Sequence, residues 1–415
     1  MYNATVCKLT NVEKHPNADK LMIARASGAQ VIVGLNSKNG DTGIFFPAGG
    51  KLSEAFCKAN DLVGEKKMFD EKRRVKCIRL RGSVSEGFFI PLDSLKFIDL
   101  DLTGLTDGLE FTHYKDNLIC EKYVAPSDIK QFKQQKGGRP SKKHPLFKEH
   151  FDTSHLIKNI HSLVPTDTVI ITLKMHGTSQ RLMSAPINTN YGWLKKTLCK
   201  LIGVKPSTTD RKVLLGTRRV EIGGVEDNGK QDNHYYRRKM ARQIADKLRM
   251  GETVYSEIVG YEHTGKPIMN PISANKLGKE YQSYKNQENG SMHFKYGNDA
   301  GECSQYVYRI TQTDEHGKCY DLSWNQVKKR CIELGVNHVP ELAVLYLDGT
   351  NNEQVMIKAE FLAYGRDAID SSHIREGVVV RIENSFGITC FKHKSLDFRI
   401  LEDTVAEEAN TEDLA

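Results

Sequence analysis

The stretch ITLKMHGTSQRL, residues 171–182, ends an apolar run on Lys174 and reaches Gly177 three positions later. An amine aimed into a glycine-marked turn at the end of a strand is either a solvated charge or a nucleophile. The spacing alone does not decide, because chance supplies about three K-x-x-G spacings in a chain of this lysine and glycine content. Further stretches stand at or near strand candidates. GTRRV (216–220) offers Arg218 and Arg219 after a glycine, and VYSEIVGY (254–261) sets Glu257 among apolar residues. REGVVVRI (375–382) places Glu376 just before an apolar strand, and CFKHKSLDF (390–398) alternates Lys392 and Lys394 across His393. Residues two apart share one face of a strand, so both amines point the same way, as do Tyr306 and Tyr308 in YVYRI. Each feature alone reads equally as surface or packing, but the set together does not.

The elements that must carry these residues alternate between strands and helices from residue 151 onward. Strands are expected at 168–174, 253–259, 305–311, 355–363, 377–382 and 387–393. Helices are expected at 191–203, 233–249 and 324–334. The last has Ser323 and Gln326 at capping-box spacing and Gly335 to end it. Residues 1–110 read instead as short strands between Gly, Asn, Asp and Pro: ATVCKLTNV, KLMIARA, QVIVG, TGIFFP and KCIRLRG. Five short strands in so short a span suit a small barrel of the OB type. Residues 111–150 read as a basic linker, since QFKQQKGGRPSKKHP has no apolar period. Residues 401–415 form an acidic tail, and no internal repeat is evident.

The chain's 415 residues suffice for two or three domains, and 39% hydrophobic with 27% charged residues is an ordinary globular composition. Lys8, Asn11 and Glu13 interrupt the start before a signal-like apolar segment develops, and no apolar run nears the roughly 20 residues a bilayer span needs. Nine cysteines without a C-x-x-C pair suit reduced thiols and no zinc site. A cytoplasmic or nuclear, non-secreted protein without a membrane partner is therefore expected. The net charge is +8, with basic density at 65–81 and 130–148, which favours a polyanionic partner.

The order K-x-x-G, arginine motif, strand Glu, aromatic strand, E-G before an apolar strand, and K-x-K resembles the covalent nucleotidyltransferases: RNA ligases, DNA ligases and mRNA capping enzymes. The resemblance spans about 174–394. VEKHPNADKL (12–21) and IRLRGSVSEGFF (78–89) resemble the OB domain of tRNA-binding modules and of one clade of RNA ligases. Together they are most similar to ATP-dependent RNA ligases whose OB domain precedes the adenylyltransferase domain. The fold implied is α+β: an N-terminal OB-fold β-barrel (1–110), then a nucleotidyltransferase domain of antiparallel sheets flanked by helices (151–400).

The resemblance also implies roles. Lys174 is the nucleophile that takes AMP from ATP, and Lys392 and Lys394 hold the α-phosphate. Glu257 accepts from the ribose hydroxyls, and Glu376, with Glu257, places Mg²⁺ (or Mn²⁺). Tyr308, in preference to Tyr306, stacks on adenine, and Arg218, in preference to Arg219, orients the ribose or the RNA 5′-phosphate. Attack needs a neutral amine, and half-deprotonating a free lysine at pH 7 takes a shift of about 3.4 units, or about 4.6 kcal/mol. Burial and neighbouring cations lower such a pKa. The implied partner is RNA with 3′-hydroxyl and 5′-phosphate ends, in a nicked duplex, joined by a monomer.

Many members of the superfamily read K-x-D-G, whereas His176 stands here. Some RNA ligases carry that histidine, and two roles stay open: assisting transfer of AMP, or fixing the turn. Two alternative functions also stand, a DNA ligase or capping-type enzyme and a non-catalytic OB-fold RNA-binding protein.

Overall fold

A computed structural model describes residues 2–64, 68–124, 144–151, 153–188, 209–226, 232–274, 277, 290–314, 316–349 and 352–402. The expected helix at 191–203, the core of the basic linker (125–143) and the tail from 403 lie outside the described residues. Two compact units result: Met1–Gly138 with Ile272–Tyr281 and Leu396–Ala415, and Arg139–Pro271 with Gln282–Ser395.

In the first unit, the strand Ala4–Lys14 alternates apolar and polar residues and sits mid-sheet in the order Ala29–Gly34, Leu21–Ala26, Ala4–Lys14, Thr42–Pro47, Gly87–Pro91. Val6, Ile44, Phe46, Leu52 and Phe56 fill its core, in line with an OB barrel. The unit does not stop at 110. Glu110–Phe111 pairs with the first strand, Cys120–Lys122 pairs with Gly50–Leu52, and Ile119 and Cys120 are fully buried. Residues from Leu396 also join it, through Asp397 with Arg79 at 3.5 Å and Arg399 with Glu86.

In the second unit, TVIITLK is buried on both faces, as a near-continuous apolar run demands. It lies within a five-stranded sheet ordered Ser154–His155, Gly387–Lys394, Gly377–Asn384, Thr168–Lys174, Glu341–Tyr346. Val169, Ile171, Val378, Val380 and Ile382 face one way and meet Val355, Ala359 and Ala363. Those last three belong to a helix, Asn352–Ala363, where the sequence suggests a strand at 355–363. The buried residues recur every four positions and the segment is rich in Met, Lys, Ala, Glu and Leu, so helix geometry buries them on one stripe. The expected helix at 233–249 is shorter, Tyr235–Arg242, followed by a 3₁₀ turn. The helix Trp324–Leu334 has its capping box and a left-handed Gly335 at the end.

The second sheet, of seven strands, follows the order Glu221–Gly223, Thr209–Gly216, Thr178–Asn188, Glu252–Gly260, Cys303–Thr313, Cys319–Asp321, and Asn337–His338 also pairs with Cys303–Thr313. Thus the chain leaves one sheet at Lys174 and enters the other at Thr178. Among the described residues no helix is long and apolar enough to cross a membrane.

Candidate active site

Strand parity sets one half of the site. Since Val169 and Ile171 face the helix, Ile170, Thr172 and Lys174 face the opposite side. Register then places Lys174 opposite Gly377, and Gly377 opposite Lys394, in one row across three strands. A side chain at Gly377 would sit 2.2 Å from the His393 carbonyl oxygen, and its φ of +149° favours glycine as well. The row therefore stays tight, and Glu376 lies between two amines. Its Oε1 is 2.6 Å from Lys174 Nζ and 3.1 Å from Lys394 Nζ. The carboxylate is 3% exposed and the two lysine side chains 23% and 17%. Lys392, opposite Val379, shares the face of Lys394.

Burial alone would push the Glu376 carboxyl up, but Lys174, then Lys394 and His176, outweigh it and hold it well below the usual carboxylate range. Its second oxygen, Oε2, is buried with no hydrogen-bond partner among the described residues and lies 4.0 Å from His176 Nδ1.

The other half comes from the second sheet. Ser179, Glu257 and Tyr306 form one row across three strands. The Ser179 hydroxyl donates to Glu257 Oε2 at 3.1 Å. Burial raises the Glu257 carboxyl to about 7, against the opposing pull of Lys174 and with a further push from Glu376. Val307 pairs with Ser256 and Arg309 with Tyr255, so Tyr308 is the extra residue of a bulge. Its phenol is driven up by burial and then by Glu257, opposed by a hydrogen bond with Ser179 and by Arg218. Arg218 and Arg219 occupy an exposed turn after Thr209–Gly216, with Arg218 within electrostatic reach of Tyr308.

The turn joining the halves is built on Gly177, where a Cβ would lie 2.5 Å from the Ile258 carbonyl oxygen and 2.9 Å from Glu257 Cγ. Only glycine lets the turn approach that strand. Arg237, 4% exposed on its helix, donates to the Ser179 carbonyl and the Thr178 hydroxyl, both at 2.5 Å. The His176 backbone N–H donates to the Tyr296 phenol oxygen at 2.7 Å. Ser179, Arg237 and Tyr296 carry no linear motif and escape a reading of the sequence.

A family model described as RNA ligase matches residues 167–396, more than half of the chain. The chain belongs to the RNA ligase family. A model of an OB-fold domain matches residues 3–92, ahead of that ligase domain. Solved structures of Naegleria gruberi RNA ligase share the fold. A mutant with ATP and Mn aligns at a TM-score of 0.60 and 17% identity, covering 97% of this chain and 99% of that one. A mutant with AMP and Mn aligns at 0.60 and 18%, with the same coverage, and the enzyme with PPi at 0.53 and 16%, covering 94% and 96%. Among curated proteins no sequence matches.

The ligase domain's donors suit a hard divalent cation. Glu257 and Glu376, the latter through its unpartnered Oε2, offer oxygen, and among the described residues no group of three or more His, Cys, Asp or Glu is placed to cage a metal. Magnesium and manganese are held in this way by one or two carboxylates, with substrate phosphates and water completing the shell.

Proposed function

We propose that this RNA ligase family member uses ATP to join the 3′-hydroxyl and 5′-phosphate ends of RNA, through an adenylate on Lys174. The observation that carries the reading is the meeting of residues 174, 376 and 394, distant in sequence, at one buried carboxylate. The likeness in fold to a ligase solved with ATP, AMP and Mn supports the choice of nucleotide and metal.

In the first step the Lys174 amine, having given up its proton, attacks the α-phosphorus of ATP. A P–N bond forms and pyrophosphate departs. Lys392 and Lys394 face the charge that develops on the α-phosphate oxygens, a task for compact ammonium groups. In the second step an oxygen of the RNA 5′-phosphate attacks the same phosphorus, and the lysine amine leaves. In the third the 3′-hydroxyl attacks the RNA 5′-phosphorus, AMP leaves, and a phosphodiester remains. Glu257 accepts from the ribose hydroxyls, Tyr308 stacks on the adenine, and Arg218 binds the ribose or the incoming 5′-phosphate. Glu376, with Glu257, would hold Mg²⁺ or Mn²⁺, and the ion would supply positive charge against the phosphates. Nicked duplex RNA is the expected substrate and a monomer the expected form.

The test is to follow α-labelled ATP in the presence of Mg²⁺ and nicked RNA. Label should appear on the protein, then on the RNA 5′-end, then as free AMP as the strands join. An unlabelled protein that still binds RNA would support the non-catalytic reading instead.

A further inference from the structure

Behind the lysine turn lies a buried aromatic group that the chemistry above leaves unused. Tyr296 is 3% exposed and holds a φ of +51°, a left-handed conformation that a bulky residue rarely adopts. Gly297 continues in the same region at +74°. Three ties keep that strained bend in place. Asn298 Nδ2 donates to the Lys295 carbonyl at 2.9 Å, Ser304 Oγ donates to Asn298 Oδ1 at 2.7 Å, and the Gly297 N–H donates to Asp370 Oδ2 at 2.9 Å. A strained residue held by its surroundings points to a job.

The geometry shows what the bend supports. The Tyr296 phenol oxygen accepts from the His176 N–H, two residues past Lys174. Its ring stands edge-on to His373, with centroids 4.6 Å apart. Phe294 touches both histidines, His176 at 4.8 Å and His373 at 4.9 Å. His373 is fully buried three residues before Glu376, and its Nδ1 lies 3.0 Å from the Ile374 carbonyl oxygen. One short segment thus grips both the turn after the lysine and the loop before the carboxylate that pairs with it.

We propose that Tyr296 is a positioning residue for the nucleophile: its phenol oxygen sets the turn after Lys174, and its ring sets the loop before Glu376, so that the amine is held in line for attack. The proposal rests on Lys174 being the adenylated residue. Burial and the neighbouring carboxylates of Asp367 and Glu376 keep the phenol protonated, so it serves as a neutral acceptor at any working pH.

The test compares wild type with Tyr296→Phe, which keeps the ring and removes the oxygen. Single-turnover adenylation with ATP should slow about tenfold, with the ATP concentration at half-maximal rate unchanged. Sealing of a strand already carrying a 5′-adenylate does not call on the amine as nucleophile and should stay within about twofold. Equal loss in both assays, or a fall in thermal midpoint that accounts for it, makes Tyr296 a packing residue and overturns the inference. So does unchanged adenylation. Asn298→Ala offers a second variant that loosens the bend with the phenol in place, and the same selective loss is expected. A wild-type protein that forms no adenylate would overturn the function proposed above, a different outcome from a variant that adenylates normally.

Discussion

The two sheets of the ligase domain each present a glutamate to the same space and treat it in opposite ways. On the five-stranded sheet, Glu376 lies between Lys174 and Lys394 and stays ionised far below neutral pH. On the seven-stranded sheet, Glu257 has a serine hydroxyl and two tyrosines for neighbours, and burial lifts it to about 7. Environments that push two carboxyls apart commonly mark a division of labour. In the reaction proposed above one side would handle charge, through Lys174, Lys392 and Lys394, and the other recognition, through hydroxyls and rings. The difference lies in the partners that register brings, not in the residue type.

Substitutions on the charged side should have the largest effects. Lys174→Ala is expected to abolish adenylation, by on the order of 10⁴-fold or more, while leaving RNA binding intact in a gel-shift assay. Glu376→Gln should follow, with a loss on the order of 10²-fold in the rate of adenylation measured at saturating ATP. Removing one partner of a buried pair also costs about 3–5 kcal/mol of stability, readable by urea titration. Because the Glu376 carboxyl is depressed, its stabilising contribution is present above about pH 4.5 and is lost as pH falls below it.

From the recognition side the effects should be smaller and carry the opposite pH signature. Glu257 is raised, so its contribution to stability is complete below about pH 4.5 and disappears as pH rises towards 7, a swing of about 3 kcal/mol. Glu257→Gln mimics the protonated form. It should flatten that slope in denaturant titrations between pH 4.5 and 7.5 and raise the KM for ATP about tenfold. Tyr308→Phe keeps the ring and drops the Ser179 contact, and about a twofold change in KM is expected. A large fall in kcat for Tyr308→Phe would mean that the two sheets do not divide the work as described.

The charged half was largely legible in the sequence. Lys174, Glu376, Lys392 and Lys394 sit at the ends of, or alternate within, apolar runs next to glycines, and TVIITLK forms the strand its pattern suggests. What was not legible depends on contacts from far along the chain. The strand Thr178–Asn188 buries Gln180 and Arg181, whose guanidinium donates to the carbonyls of Thr217 and Phe147, so no apolar pattern marks it. The segment 352–363 misleads in the other direction. Ile357 and Phe361 are exposed apolar residues that fill in its helical stripe and make it read as a strand. Tyr296 and Arg237 act through backbone groups of the lysine turn, and a side chain that bonds to backbone leaves no motif.

The proposed reaction depends on one amine, Lys174, leaving its carboxylate partner to attack phosphorus. Mapping the modified peptide by mass spectrometry after incubation with ATP and Mg²⁺ tests this most directly. The added mass of AMP should fall on Lys174, in a bond that survives alkali and breaks in acid as a phosphoramidate does. AMP on any other residue, or on none in an enzyme that still seals RNA, would contradict it.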